Sequence, residues 1–96
     1  MNYSFHPLAE AELKEGIEHY NNCQLNLGFE FAKEVYNTIQ NILNFPNAWT
    51  SLSENTKRCL TNRFPYGIIY TIEADEVIII AVMQLNREPA YWQSRI

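Results

Sequence analysis

Near the C-terminal end two apolar runs, Gly67–Glu73 and Val77–Leu85, are separated only by Ala74-Asp75. No other feature of the chain limits its folding as strongly. In the first run Ile68, Tyr70 and Ile72 alternate with period two, the pattern of a half-buried strand. The second is almost entirely apolar, which suits a central strand covered on both faces. A linker this short permits little except a β-hairpin. With 96 residues, 47% hydrophobic and 14% aromatic, the chain has material for one compact core and one domain, residues 1–96.

The remaining elements follow from periodicity and punctuation. Residues 2–6 alternate and carry aromatics, predicting a short strand that pairs with a C-terminal one. Pro7 is placed for the first turn of a helix, and Ala9, Leu13, Ile17 and Tyr20 recur at helical spacing behind it. Glu10, Glu12, Glu15 and Glu18 read as a solvated helix face. A second helix spans Gly28 to Asn44, with Phe31, Val35, Ile39 and Ile42 in one stripe and Pro46 as its stop. Residues 47–56 read as a polar loop, and Lys57 to Phe64 as the weakest strand candidate. The expected fold class is α+β in the order β-α-α-β-β-β, a helix hairpin packed on a small, largely antiparallel sheet.

Charge narrows the function classes. The net charge of −4 argues against a general nucleic-acid coat protein. Residues 1–54 hold seven acids and two lysines, residues 55–96 five bases and four acids, so any basic site belongs to the second half. No apolar run approaches the ~18 residues that span a bilayer, and the N-terminus lacks the basic start and apolar core of a signal peptide. The expected compartment is the cytoplasm, with Cys23 and Cys59 reduced. No Cys/His/acid spacing fits a metal, and there is no glycine-rich phosphate loop or nucleophile elbow, so no metal and no cofactor are expected.

The side chains suited to chemistry are Arg63 and Arg87, with Lys57 and Arg58 near them in sequence. Guanidinium groups bind phosphate bidentately and stabilise a developing phosphorane charge. Such a role requires the strands to bring these bases to one face. The ordinary alternative is solvated charges, or pairs with Glu73, Asp75, Glu76 or Glu88. Tyr91 and Trp92, beside Arg87 and Arg95, offer aromatic surface for stacking. A tyrosine can also move a proton, and Trp92 is expected to dock the C-terminus on the core.

The string Arg63-Phe64-Pro65-Tyr66-Gly67-Ile68-Ile69-Tyr70, then Val77 to Val82, then Arg87-Glu88-Pro89-Ala90-Tyr91-Trp92, resembles the RelE/ParE toxin superfamily of type II toxin–antitoxin modules. Phe5, Pro7 and Ala9 entering a Glu-rich helix are similar too, as are Gly28, Phe31 and Val35 in the second. The resemblance covers essentially the whole chain. It implies a growth inhibitor, of the kind associated with plasmid stabilisation, held inactive by a cognate antitoxin. RelE-like members cleave mRNA on the ribosome, with arginine, lysine and tyrosine assisting 2′-hydroxyl attack. On that reading Arg87, Arg63 and Tyr91 are the catalytic candidates. ParE-like members inhibit DNA gyrase with no hydrolytic site assigned. Lys57, Arg58, Trp92 and Arg95 are then candidate binding residues.

Three departures favour the ParE-like reading, the first being the absence of the lysine-rich surface typical of ribosome-docking members, in keeping with the net charge of −4. Gly67 stands where the nucleases can carry a basic side chain, and Gln84 stands where many relatives have histidine. The alternatives are a RelE-like endoribonuclease and a decayed toxin that retains only antitoxin binding. The antitoxin is expected to cover apolar surface on the helix hairpin, with its acids meeting Arg87 or Arg63.

Overall fold

The computed structural model describes residues 1–96. Strand β1 (Asn2–Phe5) leads into helix α1 (Pro7–Cys23), and Gln24 to Asn26 link it to α2 (Leu27–Asn44). Strands β2 (Thr50–Ser51), β3 (Thr56–Leu60), β4 (Tyr66–Glu73) and β5 (Glu76–Gln84) follow, then a 3₁₀ turn over Gln93–Arg95. The sheet order is β1-β5-β4-β3-β2, with β1 parallel to β5 and every other pair antiparallel. This is the expected α+β architecture. No helix is long and apolar enough to cross a membrane.

Each helix starts and stops for a local reason. Pro7 opens α1, and His6 caps it by accepting the Leu8 N–H on Nδ1 at 3.0 Å. Asn26, at φ 66°, reverses the chain in the left-handed conformation that asparagine tolerates best after glycine. The hairpin then closes very tightly. Gly28 is buried against the Ile17 carbonyl and Asn21, whose Oδ1 accepts the Gly28 N–H at 2.8 Å. Gly16 faces the ring of Phe31. Phe31 in turn packs with Tyr20, Phe64 and Tyr66, centroids 4.7–5.3 Å apart, in tilted and edge-on pairs.

The β4–β5 hairpin turns on Ala74 and Asp75, and Ala74 takes φ 54°, the positive φ that two-residue hairpin turns demand. Further along, the register slips: Ile69 pairs with Ala81 but Tyr70 with Ile79, leaving Ile80 as a bulge in β5. The bulge changes which residues face the helices. Val77, Ile79 and Val82 join the helix-side core with Phe31, Val35 and Ile39. Ile80, Ala81 and Met83 lie on the opposite face with Ile69 and Trp92. Strand β5 is therefore covered on both sides, as its composition predicts.

Two expectations need correction. The 47–56 segment contains the edge strand β2, two residues long and paired to Lys57 and Arg58. The third strand ends at Leu60 and not at Phe64, because Thr61 turns the chain by donating its hydroxyl to the Phe64 carbonyl at 2.6 Å.

Cys59 is buried in the helix-side core and Cys23 is exposed, so the two are not bridged. Burial pushes the Cys59 thiol from an ordinary 9.0 up to about 11. In the unfolded chain the thiol ionises first, so above pH 9.0 the unfolded state binds fewer protons, and stability falls until about pH 11. At pH 8 we predict that a thiol reagent labels Cys23 alone in the native protein and both cysteines in denaturant. Rapid native labelling of Cys59 contradicts the packing.

Candidate functional site

Strand β1 covers the β5 edge only from Glu76 to Ile79, so the backbone beyond Ile79 lacks a strand partner there. Helix α1 runs beside this free edge, and Glu12 fills it. Its Oε1 accepts the Val82 N–H at 3.0 Å and one Arg95 N–H at 2.8 Å. Its Oε2 accepts the Tyr91 hydroxyl at 2.6 Å and a second Arg95 N–H at 3.0 Å. Arg95 also donates to the Ile80 carbonyl at 3.0 Å. One bidentate ion pair thus satisfies backbone groups on the β5 edge that β1 does not reach, and ties residues 87–96 to the sheet. The side chains of Arg95 and Glu12 are 9% and 13% exposed, so the pair is buried.

Glu12 is a correction to the sequence reading: it is not part of a solvated face. The signal was present, since Glu12 stands three residues after Ala9 and four before Gly16, both buried. Burial and the hydrogen bond to Glu12 hold the Tyr91 phenol well above its ordinary pKa, against the opposing effect of Arg95 and Arg87. Tyr91 is a protonated donor committed to Glu12. The hydrogen bond to Glu12 raises the Arg95 pKa further, so it stays a cation.

Arg87 lies over the Tyr91 ring at 4.1 Å, with Arg95 over the same ring at 4.9 Å. No carboxylate lies within ion-pair distance of Arg87. It lines a cleft of about 230 Å³ together with Glu12, Glu15 and His19 from α1 and Tyr66, Val82 and Gln84 from the sheet. Both cleft acids lie on the helix side.

Arg63 takes a different direction. Its backbone N–H and that of Phe64 donate to Glu34 Oε2 at 2.9 and 3.1 Å, and its guanidinium pairs with Glu30 at 2.8 Å. No cavity is lined by both Arg63 and Arg87. Lys57 donates to Ser51 Oγ at 2.9 Å and pairs in register with Tyr70, whereas Arg58 pairs with Ile69 on the opposite face. The condition for a shared phosphate-binding role, all these bases on one face, is not met: Lys57 and Arg58 are adjacent on a strand and point to opposite sides. Trp92 is buried on the face away from the helices and docks the C-terminal segment, as expected.

A family model described as the ParE toxin of the type II toxin–antitoxin system parDE matches residues 3–89. No curated protein sequence matches the chain. A solved structure described as the chromosomal ParDE TA system from P. aeruginosa is similar, with 13% sequence identity and a TM-score of 0.76. That alignment covers 90% of this chain and 97% of the other. The structural likeness carries the fold; the match over 3–89 carries the family. The chain belongs to the ParE toxin family of type II toxin–antitoxin systems.

Proposed function

We propose that this toxin arrests growth by binding a protein target, DNA gyrase, and that a cognate antitoxin covers it in the resting cell. The observation that carries the reading against RNA cleavage is the Tyr91 hydroxyl. It is held by Glu12 at 2.6 Å with a raised pKa, so the phenol keeps its proton, commits it to a hydrogen bond with an internal partner and is no base for a 2′-hydroxyl. The separation of Arg63 from Arg87 and the neutral amide of Gln84 in the cleft support the same reading. Arg87 and the cleft then form a recognition surface, and Arg95 and Trp92 position it.

The test is a supercoiling assay with purified gyrase and purified toxin. The expected result is dose-dependent loss of supercoiling activity that a molar excess of antitoxin reverses. Unchanged supercoiling overturns the gyrase target. Cleavage of ribosome-bound mRNA by the same preparation establishes the nuclease alternative, and absence of growth arrest on expression establishes a decayed toxin.

A further inference from the structure

On the sheet face away from the helices, Trp92 and Tyr91 pack with Ile69 and β5, while on β3 Leu60 is exposed and Arg58 half-buried. Arg58 and Leu60 stand there, next to Gly67 of β4. The Arg58 stem lies directly across Gly67: a Cβ at Gly67 would meet Arg58 Cγ and Cδ at 3.2 Å and Leu60 Cδ2 at 3.5 Å. Glycine thus provides a flat seat for the arginine. The Arg58 Nε is buried with no hydrogen-bond partner, and no carboxylate lies within ion-pair distance of the guanidinium. The terminal nitrogens of the fork are not buried in this way and make no hydrogen bond within the chain, so they are the donors that an acceptor from outside can reach.

We infer that Arg58, seated on Gly67, is an anchor for a carboxylate side chain of the cognate antitoxin, laid along β3 where Arg58 and Leu60 reach the surface. This rests on the proposed reading that an antitoxin covers the chain. A carboxylate fits the planar fork of the guanidinium bidentately. Leu60, half exposed beside it, supplies an apolar contact for the neighbouring residue of the same segment. An RNA backbone would need several cations in a row. Here Lys57 faces the other side of the sheet and Arg63 is paired with Glu30, so one guanidinium beside a leucine suits a polypeptide better.

The test uses the polypeptide encoded by the small reading frame adjacent to this toxin's own, titrated calorimetrically against the intact chain. Arg58→Met keeps the stem on Gly67 and removes the charge. Binding is expected to weaken by about 30-fold or more, the scale for truncating one partner of a desolvated ion pair. Gly67→Ala keeps the charge and shifts the stem by only a few tenths of an ångström, so a smaller loss is expected, with the thermal melt of each variant reporting that it folds. If the wild-type chain binds and Arg58→Met binds equally well, the anchor is overturned while the antitoxin reading stands. Failure of the wild-type chain to bind overturns both.

Discussion

Replacing Glu12 by alanine is expected to destabilise the fold by about 3–5 kcal/mol, because it leaves the Arg95 guanidinium buried without its partner. The same substitution removes the acceptors of the Val82 N–H and the Tyr91 hydroxyl. For a domain of this size the melting temperature should fall by at least about 12 °C. Glu12→Gln keeps one acceptor oxygen and should fall between the two. The C-terminal segment is expected to loosen before the rest unfolds, and Trp92 fluorescence read beside far-ultraviolet dichroism distinguishes the two steps. A Glu12→Ala protein that melts like the wild type contradicts the role of this ion pair.

Gly28→Ala carries the second large effect, and its sign is informative. Helix propensity alone favours alanine inside α2 by about 1 kcal/mol. A Cβ at this position, however, overlaps the Ile17 carbonyl and the Asn21 amide, so the hairpin must part. Overpacking of this kind costs about 1–3 kcal/mol, and loss of the Asn21–Gly28 hydrogen bond adds about 1 kcal/mol. The net expectation is a loss of roughly 2 kcal/mol, measured by urea unfolding. A gain in stability would mean that the helices do not approach each other as closely as the structure places them.

These two residues also mark how far the sequence could be read. The helices and the hairpin strands were legible because each carries a strong periodicity bounded by Pro7, Pro46 or the Ala74-Asp75 turn. Gly28 was legible as the start of a helix but not as a contact point, since close approach depends on a crossing that sequence spacing does not specify. Strand β2 was missed because two residues cannot show an alternation. Glu12 was misread because charge outweighed its position between Ala9 and Gly16 on the helix.

The basic residues show a different limit. Lys57 and Arg58 could not share a face of one strand, and period two alone was enough to say so. The rest depended on the Ile80 bulge, which resets the alternation of β5, and on Glu30 and Glu34, which hold Arg63 and its loop against α2. Neither has a signal in the chain. Gly67, conversely, marked an absence of charge in the sequence, whereas in the fold the neighbouring strand lays Arg58 across it.

The most direct test of the central claim is expression of the chain alone in bacteria, followed by mapping of cellular mRNA 5′ ends by primer extension. A toxin that acts on a protein target, with Tyr91 committed to Glu12, predicts growth arrest with intact mRNA. Arrest accompanied by new, codon-positioned mRNA ends would contradict it.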